Sequence, residues 1–160
     1  MPTYSLLIGL CLLAAPPVWA QRLSGQGTCG EPEDQKEIPI DDRPNHSFAV
    51  SKSKCSWIKP FEIGGQRAEG GTAVQISERS GSTSKFRGDY LDPMSGGDTV
   101  HYTYEGTTTF AGEKPQKQTW SWNIVGGTGK LKGVRGKGRC NGAWPEDKFR
   151  WTCTGAYRMK

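Results

Sequence analysis

The chain has 160 residues, of which 21 are Lys or Arg and 16 are Asp or Glu, so its formal net charge is +5. Only 34% of the residues are hydrophobic and 22 are Gly, which excludes long helices because Gly costs about 1 kcal/mol per helical position relative to Ala. The length suits one domain, and the 10% of aromatic residues predicts an all-β fold with a largely aromatic core.

Residues 1–20 have the pattern of a secretory signal peptide. The apolar run from Leu6 to Ala15 is too short to span a bilayer, and Val18-Trp19-Ala20 after it is typical of a cleavage site. No Lys or Arg precedes the run, so its positive charge comes only from the terminal amine. We expect cleavage after Ala20 and a secreted or periplasmic protein, in which no later segment is apolar enough to cross a membrane.

Residues 21–46 form a polar segment that contains Gly and Pro and is acidic in its middle. The segment lacks the alternation of apolar and polar residues that marks a half-buried strand. We therefore expect an N-terminal arm over residues 21–46, tethered to a β-barrel domain over residues 47–160.

Four cysteines follow the leader, and an exported protein is expected to pair them as disulfides. A four-residue hairpin loop at residues 145–148 would place Cys140 opposite Cys153, with β-carbons roughly 4.5–5.5 Å apart. This distance is close enough for a disulfide after small adjustments, and elimination then pairs Cys29 with Cys55. The alternative, a zinc site, is disfavoured because the spacings contain no C-x-x-C.

From Ser47 onward, short runs of strand-forming residues alternate with turns rich in Gly and Pro. The pattern predicts about eight antiparallel strands. They lie near residues 47–51, 55–63, 72–79, 84–91, 98–106, 117–125, 130–140 and 148–157.

The alternation is clearest in the C-terminal half. Tyr102 and Tyr104 alternate with polar residues along one predicted strand, and Trp120 and Trp122 do so along the next. In the last hairpin, glycines share the inward face with Trp151, and such large and small neighbours suit a tapered barrel interior. A two-sheet sandwich would show the same alternation.

The stretches 120–138 and 151–157 resemble allene-oxide-cyclase-like barrel proteins. In that family a strand ends in a Gly-Thr-Gly-Lys turn, an x-Gly-x-x-Gly-x-Gly strand follows, and the last strand carries an aromatic residue and Gly-x-Tyr; all three features occur here. The resemblance implies an eight-stranded antiparallel barrel related to calycin-type ligand carriers, with a mostly apolar lumen. Some relatives are cofactor-free cyclases, but the matched residues occupy turn and packing positions and imply no catalytic role.

The first functional hypothesis is a binding module whose lumen takes a small apolar or aromatic ligand. Nine aromatic residues are expected to line or fill that lumen: Trp57, Phe86, Tyr90, Tyr102, Tyr104, Trp120, Trp122, Trp144 and Trp151.

The second hypothesis is a cofactor-free cyclase or isomerase. Glu78 shares a predicted face with Val74 and Ile76, where burial would raise its pKa into the range of a general acid, and Tyr102 or Tyr104 could assist proton movement. The alternative for Glu78 is a position at the barrel rim in water. Only two histidines follow the leader, so neither a catalytic metal nor a Ser-His-Asp triad is expected.

The third hypothesis is an envelope protein that holds an anionic polymer on a basic outer face. The basic residues are Lys130, Lys132, Arg135, Lys137, Arg139 and Arg150. A solvated barrel face is the simpler interpretation, and nucleic acid is disfavoured because the aromatic residues suited to base stacking are expected inside. The Gly-rich stretch lacks the spacing of a phosphate-binding loop.

Overall fold

The computed structural model describes residues 20–160, which form a closed antiparallel barrel. Its strands are β1 (Gln21–Cys29), β2 (Asp34–Pro39), β3 (His46–Lys59), β4 (Glu62–Ile63), β5 (Gln66–Arg67), β6 (Thr72–Ser80), β7 (Thr83–Pro93), β8 (Thr99–Ala111), β9 (Lys114–Gly127), β10 (Arg135–Ala143) and β11 (Arg150–Arg158), with 3₁₀ turns at Gly129–Leu131 and Pro145–Asp147. Eight of them form the ring, in the order β1, β11, β10, β9, β8, β7, β6, β3 and back to β1. The predicted eight-stranded antiparallel barrel is confirmed.

Strand β1 closes the barrel, and it comes from the segment that the sequence predicted to be an arm. It pairs with β11 along Gln21–Thr28 and with β3 near Cys29. Gly25 and Gly27 on its inner face leave the space that Trp57 and Trp151 occupy, because a β-carbon at either glycine would overlap those rings. The rest of the predicted arm includes β2, which pairs with the first half of β3.

Several other strand boundaries differ from the sequence prediction, and two of these differences change how the chain is divided into strands. Residues 47–51 and 55–63 were expected to form two strands, but His46–Lys59 is one continuous strand, β3, and residues 62–63 belong to β4. The expected strand at 130–140 is divided, because a 3₁₀ turn at Gly129–Leu131 precedes β10. The predicted signal peptide lies outside the described residues except for Ala20.

One end of the barrel is closed by the connection between β3 and β6. This segment contains the short β4–β5 hairpin, and it places Phe61 and Ile63 across the opening with 3% and 0% exposure. They pack in one cluster with Met94, Leu131 and Val134, which come from the other connections at that end. The closed end is therefore a close-packed apolar core.

Both predicted disulfides are confirmed. Cys140 is paired in register with Cys153 across β10 and β11, and Cys29 with Cys55 across β1 and β3. The second bond ties the N-terminal segment to the barrel wall. Within residues 20–160, no helix has the length and apolar character needed to span a membrane.

Candidate functional site

A cavity of about 710 Å³ opens at the end of the barrel opposite the β4–β5 hairpin. Ten aromatic side chains line it: Trp57, Phe61, Tyr90, Tyr102, Tyr104, Trp120, Trp122, Trp144, Phe149 and Trp151. All four cysteines of the two disulfides also reach its wall or its rim. The lumen is thus an open pocket and is not filled by its own indole rings.

Eight of the nine aromatic residues predicted for the lumen line this cavity. The exception is Phe86, which is buried on β7 and packs against Tyr104, 6.1 Å away between ring centroids, but is not part of the lining. Phe61 was missed because it lies just beyond β3 in the closing connection. Phe149 was not predicted either, although it lies two residues before Trp151 in the last hairpin.

These rings share the inner face of the barrel because side chains alternate between the two faces of each strand. Tyr102 and Tyr104 on β8 and Trp120 and Trp122 on β9 point to the same side of the sheet, because residues two apart share a face. The Trp122 ring lies against Gly138, where any β-carbon would overlap it. Small residues on β10 and β11 therefore make room for large rings on β9.

The rings contact one another around the cavity. Trp151 stands edge-on to Trp57, with centroids 4.7 Å apart, and Trp144 lies 4.6 Å from Phe149. Trp57 is also 4.6 Å from Phe61, the residue that forms the cavity floor. Such tilted and edge-to-face pairs contribute about 0.5–1.5 kcal/mol each beyond the area they bury.

A fully buried carboxylate, Asp92, lies behind the floor. Its Oδ2 accepts a hydrogen bond from Trp57 Nε1 at 2.9 Å, and its Oδ1 accepts one from the amide of Gly70 at 3.1 Å. Burial raises the pKa of Asp92 to about 7, although both hydrogen bonds favour the charged form. Asp92 was not predicted from the sequence, although it shares the inward face of β7 with Tyr90 and that alternation could have identified it.

The tyrosines of the floor and wall are held as neutral hydroxyls. Burial raises the pKa of Tyr90, Tyr102 and Tyr104, and the negative charge of Asp92 raises it further for Tyr90 and Tyr102. Tyr90 Oη accepts a hydrogen bond from the amide of Gly71 at 2.8 Å. These hydroxyls can donate hydrogen bonds, but they are not poised to act as bases.

The structure places Glu78 outside the lumen, so the expectation that it lies on an inward face is wrong. Its face of β6 points to solvent: Val74 and Ile76 are 45% and 42% exposed, and the Glu78 side chain is 46% exposed. The Glu78 carboxylate is 3.2 Å from His46 Nε2. The neighbouring residues Ala73 and Gln75 line the cavity instead.

Among residues 20–160, the charged side chains of the cavity wall lie at its mouth. They are Glu31 in the segment after β1, and Asp147 and Lys148 in the loop between β10 and β11. The other polar groups of the lining are hydroxyls and amides such as Ser53, Gln75 and Gln118. The interior is suited to an uncharged molecule.

The basic residues of the C-terminal half lie on the outside of the barrel, as predicted. Lys137 and Arg139 of β10 are exposed, as are Lys130 and Lys132 before the strand and Arg150 on β11. Among residues 20–160, the ion pairs involve none of them. None of them is among the residues that line the cavity.

No known protein family and no curated protein matches this sequence. Its fold is similar to that of solved structures, among them the pterocarpan synthase dirigent protein GePTS1. That structure superposes with a TM-score of 0.50 at 15% sequence identity, and the match covers 99% of this chain and 100% of the other. At this identity the likeness concerns the barrel fold alone.

Proposed function

We propose that this barrel binds a small, neutral, apolar or aromatic molecule in its lumen. The observation that carries the proposal is the cavity itself, about 710 Å³ in volume, with aromatic walls and charged side chains only at its mouth. Pockets for small ligands have volumes of about 300–1,000 Å³ and combine apolar walls with a few polar groups.

The two disulfides support export to a secreted or periplasmic compartment, because cytosolic thiols are kept reduced. Both bonds lie beside the cavity and join neighbouring strands of its wall. An extracellular carrier of poorly soluble molecules would combine such a wall with an apolar lumen.

The proposal can be tested by intrinsic fluorescence, because every tryptophan of residues 20–160 lines the cavity. We expect the neutral probe N-phenyl-1-naphthylamine to quench this emission saturably at micromolar concentration, with energy transfer to the bound probe. The absence of any response across a panel of neutral aromatic and aliphatic probes would contradict the proposal.

A matched pair of variants locates the binding. Ala73 lines the cavity and Val74 beside it points to solvent. Ala73→Phe should fill part of the lumen and weaken probe binding at least tenfold, whereas Val74→Phe adds an aromatic ring outside and should leave binding unchanged. Equal effects of the two variants would place the probe on the outer surface.

A second candidate function, cofactor-free cyclisation or isomerisation, is favoured by Asp92 and the tyrosines at the floor. Asp92, whose pKa burial raises to about 7, lies behind Tyr90 and Tyr102, and the hydroxyl groups of these tyrosines could donate hydrogen bonds during the reaction of a bound substrate. The similar structure is named as a synthase, so this architecture is compatible with catalysis.

The catalytic candidate can be tested with citronellal, a neutral aldehyde that cyclises under acid catalysis. We expect acceleration and a biased ratio of the isopulegol stereoisomers in gas chromatography, both reduced in Tyr102→Phe and Tyr104→Phe. A wild-type rate and isomer ratio equal to those in buffer would leave ligand binding as the function.

A further inference from the structure

The charged residues of the barrel wall are distributed unevenly. Four consecutive strands of the ring, β9, β10, β11 and β1, contain no Asp or Glu. They carry eight basic residues: Arg22, Lys114, Lys117, Arg135, Lys137, Arg139, Arg150 and Arg158. The other four strands, β3, β6, β7 and β8, together carry residues of both signs. Half of the ring therefore has one sign of charge, whereas solvated protein surfaces usually mix both.

Five of these residues lie close together, and we name them the basic face: Arg22, Arg135, Lys137, Arg139 and Arg158. Lys137 and Arg22 lie on either side of Ala156, and Arg135 is directly opposite Arg158. Arg139 follows Lys137 on the outer side of β10, about 6.6–6.8 Å along the strand. Because neighbouring strands are about 4.8 Å apart, all five backbone positions lie within about 15 Å of one another.

The charges of the basic face have no partners within the protein. None of its residues forms an ion pair among residues 20–160, and four of the five side chains are exposed, while Arg135 is half-buried. Like charges directly opposite each other destabilise a sheet, so an anion bound between Arg135 and Arg158 would relieve a repulsion. The basic face is therefore complementary to a ligand that carries several negative charges.

A row of uncharged polar residues runs beside the basic face on the same outer surface. The row crosses β9, β10, β11 and β1 and consists of Thr119, Asn141, Thr152 and Gln26. Their hydroxyl and amide groups donate and accept hydrogen bonds, as the hydroxyl groups of a sugar do. The surface thus combines point charges with groups that suit a polyhydroxylated chain.

A lipid bilayer fits this surface poorly. The four strands make up half of the ring, and a flat membrane would contact only a narrow strip of such a convex wall. Stable attachment to a membrane also needs apolar side chains that enter the lipid. Within residues 20–160, Val125 is the single large apolar side chain on these four strands that is exposed.

Nucleic acid also fits this surface poorly. The aromatic residues of the four strands are Trp120, Trp122, Trp151 and Tyr157, which line the cavity or are buried. They cannot stack on the bases of a single strand, which is how proteins hold single-stranded nucleic acid. The basic face is also part of a barrel wall, whereas a groove of double-stranded DNA admits a helix or a two-stranded ribbon.

We propose that the basic face binds an acidic polysaccharide. The carboxylate or sulfate groups of the chain pair with the Arg and Lys side chains, and its hydroxyl groups bond the neighbouring polar row. A flexible chain can follow the convex wall from β9 to β1. The site lies outside the lumen, so this proposal and the ligand-binding function can fail independently of each other.

Heparin, labelled with fluorescein, is the acidic polysaccharide in the test, and fluorescence polarisation measures its binding. We expect the wild-type protein to bind it at micromolar concentration in about 50 mM NaCl, and about a hundredfold more weakly in about 200 mM NaCl, because five ionic contacts give a steep dependence on salt. Neutral dextran should not bind. Tighter binding of oligothymidylate, or of vesicles containing phosphatidylglycerol, would overturn the choice of a polysaccharide.

A matched pair of double variants locates the site. Lys137→Ser with Arg139→Ser removes two exposed cations of the basic face. Lys85→Ser with Arg87→Ser removes two exposed cations at the same spacing on β7, where each lies opposite a glutamate. The first pair should weaken heparin binding about tenfold or more, and should lower the slope of log Kd against log salt concentration by about 1.5. The second pair should weaken binding less than about threefold, because its cations already face carboxylates.

Thermal unfolding separates the loss of a contact from the loss of the fold. All four replaced side chains are exposed, so the unfolding midpoints of both variants should stay within a few degrees of the wild-type value. Equal losses of heparin affinity in the two variants would show that binding follows the net charge alone, and would overturn the site. An unchanged affinity in the first variant, or no heparin binding by the wild-type protein at low salt, would overturn it as well.

Discussion

The two ends of the barrel are built on different physical principles. At the closed end, aliphatic side chains such as Ile63, Leu131 and Val134 are fully buried in contact with one another. At the open end, half-buried rings such as Trp120 and Trp144 surround a cavity of about 710 Å³, and two disulfides join the strands of the wall.

The comparison shows how one small domain can be stable and also keep an empty lumen. Close packing at one end supplies apolar burial, at about 25 cal/mol per Å². The disulfides restrict the unfolded chain and join the strands without filling the cavity. Substitutions at the two ends should therefore differ in their effects on stability and on ligand binding.

The largest effect is expected at the closed end. Leu131→Ala removes a fully buried side chain from the aliphatic cluster and should lower the free energy of unfolding by about 2–5 kcal/mol. Phe149→Ala at the mouth removes a ring that is already partly in water, and should cost less. Urea denaturation of both variants measures the difference, and an equal cost would mean that the mouth is as tightly packed as the closed end.

Raising the pH should lower the free energy of unfolding by a similar amount, through Asp92 at the boundary between the two ends. Burial raises the pKa of folded Asp92 to about 7, from an unfolded value of about 3.9. The protonated carboxyl therefore favours the fold, and this contribution is complete below about pH 4 and is lost as the pH rises through about 7. The loss should reach about 4 kcal/mol, since each unit of pKa corresponds to about 1.36 kcal/mol.

Asp92→Asn isolates this contribution. Asn cannot ionise, so the wild-type protein should lose stability relative to the variant as the pH rises from 4 to 8. His46, whose pKa is raised by hydrogen bonds to Asp42 and Glu78, titrates in both proteins and cancels in the comparison. Parallel stability curves for the two proteins would show that Asp92 is already ionised in the fold.

The next effect concerns the open end. Replacing Cys140 and Cys153 by Ala opens a disulfide that joins residues 13 apart in sequence, and should cost about 3 kcal/mol. Because this bond lies in the cavity wall, amide hydrogen exchange should accelerate in β10 and β11 near the mouth more than around Leu131. Uniform acceleration over the whole barrel would mean that the two ends open as one unit.

The smallest effect is expected on the outer surface. Lys137 on β10 is exposed and forms no ion pair within residues 20–160, so Lys137→Ser should change the free energy of unfolding by less than about 0.5 kcal/mol. Probe binding in the lumen should not change either. A loss of probe affinity would connect the basic face to the ligand site.

The sequence predicts the C-terminal half of the barrel well. Large rings alternate with polar residues on β8 and β9, and the expected register of the last hairpin places Cys140 opposite Cys153, as the structure confirms. On these strands the large side chains point inward. The inner face, which includes Trp122, can therefore be identified from the sequence alone.

The first half is harder to predict because its inward residues are small. Gly25 and Gly27 of β1 face Trp57 and Trp151, so the apolar surface at that point belongs to other strands. On β6, the residue that faces the cavity beside Val74 is Ala73, while Val74 itself faces water. On this strand the small residue faces the cavity and the larger apolar residue faces water. This is the opposite of the pattern by which the inner face of a strand is usually assigned, because large side chains would fill the cavity.

The most direct test of the account is an NMR titration of the protein with 2-acetylnaphthalene. We predict saturable shifts of the indole Nε1–H signals of Trp57, Trp120 and Trp122, and no shifts of the methyl signals of Ile63 and Leu131 at the closed end. Shifts confined to the closed end or to the outer face, or none at all, would contradict a ligand-binding lumen that opens at one end of the barrel.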